Sequence, residues 1–140
     1  KAITGKQLTL ALKGRLGVVI DGTGKDYAKI KDNVDQFRAV GYAVHMIFVN
    51  TDLETALARN KSRDRVLPDE HVEKMWKSVQ KNIGKFQGLF RNRMTVIDNS
   101  TDADINTSTL EAYKDIQQWA KKPPENKIAQ KWIKSQGGRK

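Results

Sequence analysis

The sequence predicts an α/β domain built on a mostly parallel sheet, and three observations carry that prediction. Short apolar runs at 17–21, 43–49 and 94–97 are bounded by glycine or polar residues, as buried parallel strands are. Between them lie stretches whose apolar residues recur at three- and four-residue steps, as in helices packed on one face. Each run also closes on polar residues, Asp21-Gly22-Thr23, Asn50-Thr51-Asp52 and Asp98-Asn99-Ser100. In such sheets ligands bind beyond the carboxyl ends of the strands, so these three ends form a candidate site.

Leu8, Leu10 and Leu12 lead to Gly14 and Gly17, a helix or extended piece that ends in a turn. Gly17 to Asp21 is the first predicted strand, with Val18, Val19 and Ile20 delivering a carboxylate to its end, and Gly22-Thr23-Gly24 breaks it. Tyr27, Ile30, Val34 and Phe37 then predict a helix from about Asp26 to Val40, capped by Asp26 and closed by Gly41. Ala43 to Val49, apolar on both faces apart from His45, is the second strand. His45 reads as a satisfied core histidine.

Thr51 or Asp52 caps the next helix, through Leu53, Ala56 and Leu57, which runs into Arg59-Asn60-Lys61-Ser62-Arg63-Asp64-Arg65. Pro68-Asp69-Glu70 starts a long helix, with Pro early and acids in the first turn. Val72, Met75, Val79, Ile83, Phe86 and Phe90 mark its apolar face, and Gly84 weakens its middle. Trp76 and Phe86 read as core or core edge, and Gln80 and Gln87 as solvated. Met94 to Ile97 is the third strand. Ser108 and Glu111 form a capping-box pair before Leu110, Tyr113, Ile116 and Trp119. Pro123-Pro124 ends the domain, so residues 1–120 are expected to form it and 121–140 a tail.

At 140 residues and 15.9 kDa the chain fits one domain, and 38% hydrophobic residues suffice for a core. No run of 18 apolar residues and no charged-then-apolar leader is present, so neither a membrane span nor secretion is expected. There is no cysteine, which excludes a disulfide scaffold and a thiol nucleophile, and the two isolated histidines, His45 and His71, make no zinc site. A reducing, cytoplasmic setting is the simplest expectation. The net charge of +10 is uneven: residues 121–140 hold seven Lys or Arg against one Glu, a net of +6. Such a tail reads either as solvated and partly disordered or as an arm seeking the phosphates of nucleic acid. Trp132 and Ile133 within it point to a docking surface.

Gly22-Thr23-Gly24-Lys25 is not a Walker A loop, which needs G-x-x-x-x-G-K-[ST], and no other window of the chain fits that pattern. An apolar strand ending in Asp21 can instead hold Mg²⁺ through water or bind a substrate hydroxyl, and Lys25 can pair with a phosphate. Asp21 and Thr23 can equally do no more than cap the following turn. Arg59, Arg63 and Arg65 suit phosphate: guanidinium forks bind its oxygens in bidentate fashion, and a mobile connector carrying them acts as a lid. A solvated basic turn partly neutralised by Asp64 is the other reading.

Together these residues reach a resemblance. Gly17-Val18-Val19-Ile20-Asp21-Gly22-Thr23-Gly24-Lys25 resembles the acid-Gly-Thr-Gly-basic signature of the zeta-toxin branch of the P-loop kinases. Arg59 and Arg63-Asp64-Arg65-Val66-Leu67-Pro68 resemble its lid, where one arginine lies on a helix and another just before a Pro-started helix. Gly41-Tyr42, Val44 to Val49, Phe86 to Phe90 and Asp98-Asn99-Ser100 continue the match over about residues 8–115. Related phage-encoded kinases look most similar.

The resemblance implies a parallel-sheet P-loop-kinase-like domain that phosphorylates a hydroxyl with ATP and Mg²⁺. It implies that Asp21, Thr23 and Lys25 bind substrate, a hydroxyl-bearing small molecule or nucleotide-sugar, and that Arg59 and Arg65, with Arg63 in reserve, clamp the phosphates. Asn99 would lie near the nucleotide base. The Walker A loop has no counterpart in this sequence, so the chain resembles the carboxyl-terminal part of such a kinase, and another segment or chain is expected to bring that loop. In the family order the Walker A strand separates the strand ending at Asp21 from that ending at Asn50, so the two are expected not to pair. The rival reading is a non-catalytic kinase-like scaffold that binds nucleic acid or an assembly partner through its tail.

Overall fold

The computed structural model describes residues 2–137, and Lys1, Gly138, Arg139 and Lys140 lie outside the described residues. The chain forms helices α1 (Ala2–Gly14), α2 (Tyr27–Ala39), α3 (Leu53–Lys61), α4 (Asp69–Phe90), α5 (Ile105–Lys121) and α6 (Lys127–Ser135), with strands β1 (Met46–Asn50) and β2 (Met94–Asp98). A 3₁₀ turn, Arg91–Arg93, links α4 to β2. Among the described residues none of the helices is long and apolar enough to cross a membrane.

β1 and β2 pair in parallel, Met46 opposite Met94 and Asn50 opposite Asp98. A parallel pair needs a long crossover, and here α3 and α4 supply it. Buried Val34 of α2, Phe48 of β1, and Phe86 and Phe90 of α4 make the core. Phe86 is fully buried, its ring 5.5 Å from Tyr27 and 6.1 Å from Phe48. Alternation along a strand turns Ile97 and Thr95 to the opposite face. There α5 packs along β2, with Trp119 5.0 Å from His45. α2 and α4 thus cover one face, while α5 covers the β2 part of the other and leaves Ile47 and Val49 of β1 about half exposed.

Four expectations need correction. The run Gly17 to Asp21 is not a strand: Val19 is 97% and Ile20 53% exposed, and no backbone ladder joins the run to β1 or β2. A strand exists only when its donors and acceptors meet a neighbour, which an apolar run alone does not supply. The segment is held at its two ends instead. Tyr42 Oη donates to Leu16 O at 2.9 Å, and Asn82 Nδ2 donates to Gly24 O and Lys25 O at 3.0 Å each.

The second strand begins at Met46 rather than Ala43. The start of α5 also lies earlier than the Ser108–Glu111 pair, because Asp104 caps it, accepting from Thr107 N at 3.1 Å and Thr107 Oγ1 at 2.6 Å. The tail, finally, is not a free arm over residues 127–135. Asn126 caps α6, and the helix packs so closely on Gly41 that a Cβ there would lie 2.8 Å from Ala129 N. Trp132 takes the Arg15 guanidinium over its ring at 6.0 Å. Trp132 and Ala129 thus make contact with the rest of the chain, while Ile128 and Ile133 stay exposed at 47% and 40%.

Candidate functional site

The parallel register puts Asn50 and Asp98 side by side at the carboxyl edge of the sheet, and the residues after them are laced together. Asn99 N donates to Asn50 O at 2.8 Å. Ser100 Oγ donates to Asp98 Oδ1 at 2.7 Å and accepts from Asp52 N at 3.0 Å. Asp52 caps α3, taking Thr55 N at 2.7 Å and Thr55 Oγ1 at 2.8 Å. The backbone bond from Thr55, then the hydroxyls of Ser100 and Thr55, hold the Asp52 carboxyl down to about 2. Bonds from the Ser100 side chain and backbone likewise hold Asp98 below the usual carboxylate range. Both are anions at neutral pH, committed to fixing the loops of this edge.

The arginines lie beside it. Arg59, on the exposed side of the last turn of α3, places Nη2 3.4 Å from Asn99 Oδ1, joining two residues the sequence singled out. Arg63 and Arg65 are exposed in the connection to α4. With Ser62, Asp64 and Leu67 they line an open depression of about 590 Å³. Three exposed guanidinium groups on one short stretch suit a polyphosphate, whose oxygens accept paired N–H donors.

Asp21, Thr23 and Lys25 are exposed, and among the described residues no hydrogen bond or ion pair links their side chains to the arginines. Their loop nevertheless lies against the same framework. A Cβ on Gly24 would sit 3.6 Å from the Phe48 ring of β1 and 3.9 Å from Phe86 and Val79 of α4. Gly24 takes φ +71°, a conformation glycine adopts without cost.

Three residues that fix this framework, Gln80, Asn82 and Asn60, escape the sequence reading or depart from it, and half-buried Trp76, read as core or core edge, joins them. Gln80, expected in solvent, donates to Asn50 Oδ1 at 2.8 Å, and Trp76 Nε1 donates to Thr51 O at 2.7 Å. Asn82 is 6% exposed and holds Gly24 and Lys25. Asn60 is 3% exposed and grips Leu67 at both backbone atoms, Nδ2 to O at 2.8 Å and Leu67 N to Oδ1 at 3.1 Å. Asn82 carries a legible signal, since four residues before buried Phe86 a polar side chain faces the core and needs a partner.

His45 is held by Thr95, Nε2 to Oγ1 at 2.9 Å, while its buried Nδ1 has no partner. It lies towards the amino end of the sheet, away from this edge. Among the described residues no group of three or more His, Asp or Glu could hold a metal ion.

A family model described as Zeta toxin matches residues 1–111. No curated protein and no solved structure matches the chain.

Proposed function

This chain belongs to the Zeta toxin family, and from that premise we propose that it supplies the substrate-binding and lid portion of an ATP-dependent phosphotransferase acting on a hydroxyl. One observation carries the reading. Arg59 reaches Asn99 at the carboxyl edge of the sheet from the helix that leads directly into the Arg63–Arg65 connection. That arrangement supports a set of cations able to turn towards a single phosphate chain.

ATP supplies the transferable phosphoryl group when bound, and Mg²⁺ comes with its phosphates. Arg59, Arg63 and Arg65 fit the polyphosphate, and Asn99 is the candidate neighbour of the base. The chemistry asked of these residues is mostly positioning and charge. The Asp21 carboxylate can accept the hydrogen bond of a substrate hydroxyl and orient its oxygen, Thr23 can add a second bond, and Lys25 can hold an acidic group of the substrate. Arginines closing over the phosphates would offset negative charge as it develops.

The Walker A loop is proposed to come from another segment or chain. Two features support a place for it. Among the described residues β1 has one edge without a strand partner, and Ile47 and Val49 on it are 51% and 55% exposed. The run 17–21, apolar and without a ladder, is held by hydrogen bonds at its flanks, Leu16 and Gly24. Residues 1–120 form the kinase-like portion in this reading, and 121–140 the basic tail.

The experiment supplies the chain with the Walker A segment of a related kinase, fused or co-expressed, and follows radiolabelled phosphoryl transfer from ATP·Mg²⁺ to nucleosides, sugars and nucleotide-sugars. The expected result is transfer to one class of hydroxyl, lowered about 10²–10³-fold by Arg59→Ala. No transfer to any acceptor, with retention of nucleic acid on the lysines of α6, would favour the non-catalytic scaffold.

A further inference from the structure

The segment carrying Arg63 and Arg65 is not an open-ended connector. Asn60, in the last turn of α3, turns its side chain inward and is 3% exposed. A buried amide is costly unless its donor and acceptor both find partners, and here one residue satisfies both. Asn60 Nδ2 donates to Leu67 O at 2.8 Å, and Leu67 N donates to Asn60 Oδ1 at 3.1 Å. The side chain thus imitates a neighbouring strand and ties residue 67 back to residue 60. Lys61 and Asp69, with nitrogen and oxygen 3.7 Å apart, add an exposed second tie. At the near end Arg63 N donates to Asn60 O at 3.3 Å and Ser62 Oγ to Arg59 O at 2.9 Å.

Residues 61–66 are therefore a short closed loop hung from one buried amide. Pinned ends remove most of the conformations a free connector would sample, so exposed groups on the loop lose less freedom when they meet a ligand. We propose that Asn60 is a positioning residue for the arginine lid. By clamping Leu67 it makes Arg59, Arg63 and Arg65 move as one unit and presents them together to a polyphosphate. This rests on the lid reading given above. Asn60 itself touches no ligand; it acts through the loop it closes.

The probe is inorganic tripolyphosphate, titrated calorimetrically into the intact chain. Asn60→Leu keeps the number and branching of side-chain heavy atoms and adds no charge while removing both bonds. It is expected to weaken tripolyphosphate binding about tenfold while the long-range near-ultraviolet signature of the fold is kept. Arg63→Ala combined with Arg65→Ala is expected to weaken it at least as much, and adding Asn60→Leu to that pair should change nothing further. A merely structural asparagine would give an additive loss instead. Wild-type affinity in Asn60→Leu overturns the positioning role and leaves the lid intact. Wild-type affinity in the arginine pair overturns the lid reading, and the positioning role with it. Should Asn60→Leu fail to fold, nitrogen-15 relaxation of the unaltered chain decides. Order parameters near 0.85 over residues 62–66 support the clamp, and values below about 0.6 overturn it.

Discussion

Arg91 ends α4 with φ 54° and ψ −121°, its N–H turned back to Gln87 O. A side chain in that region is strained by about 1–3 kcal/mol, and glycine is not. Arg91→Gly is expected to raise stability by about 1 kcal/mol in urea unfolding, after the unfolded chain's gain in freedom takes back part of the relief. Gly41 is the converse, since φ is +95° and a Cβ would meet Ala129 N at 2.8 Å. Gly41→Ala should therefore cost more than about 1 kcal/mol, and less in a chain lacking residues 123–140, where only the backbone strain remains.

His45 sets a pH dependence. Burial, then the charge of Arg93, pushes its pKa below the ordinary value of 6.5, while Asp115 opposes them weakly. Above that value both folded and unfolded chains carry a neutral ring. As pH falls below it the unfolded chain takes up the proton first, so stability should decline from about pH 6.5 downward. Urea midpoints at neutral and mildly acidic pH, compared with those of His45→Gln, check this.

α4 is the element on which the site depends. Its apolar residues at helical spacing bring Phe86 and Phe90 into the core, and its polar ones reach Asn50, Thr51, Gly24 and Lys25. Phe86→Ala should cost about 3–5 kcal/mol, read from the urea midpoint, because the ring is fully buried between Tyr27, Phe48 and Phe90. The apolar face is legible in the sequence because periodicity reports which side is buried. The polar bonds are not, because their partners lie more than 20 residues distant, and no spacing rule encodes them. The run at 17–21 shows the same limit from the other side: Val18, Val19 and Ile20 have strand composition, but pairing belongs to a neighbour and not to the run. Chain order alone picks out Arg59 and Asn99, yet their 3.4 Å approach follows only from the β1–β2 register.

For the whole molecule, the tail decides a balance between charge and packing. Composition alone favours a solvated arm, and a separable one would leave the thermal midpoint unchanged when removed. With Trp132 under Arg15, Ala129 against Gly41, and Arg93 and Glu125 3.7 Å apart, deletion of residues 123–140 is instead expected to lower the midpoint by several degrees. The same deletion should weaken retention on nucleic acid, whose salt dependence would flatten by roughly 0.7–0.9 for each phosphate that the tail no longer neutralises. An unchanged midpoint would mean that α6 lies on the surface without contributing to stability.

The β1–β2 ladder also has a consequence for synthesis on the ribosome. Met46 pairs with Met94, so β1 leaves the exit tunnel 48 residues before its partner. At ordinary translation speeds of about 5–20 residues per second, β1 waits about 2–10 s with Ile47, Phe48 and Val49 unpaired. α3 and α4 are local in sequence and can form during that wait, and Phe86 can already cover Phe48. The other two side chains face away from α4. The nascent chain therefore presents a short apolar strand edge to chaperones until β2 emerges, and synonymous changes that slow translation through α4 should raise the aggregated fraction without altering the finished fold.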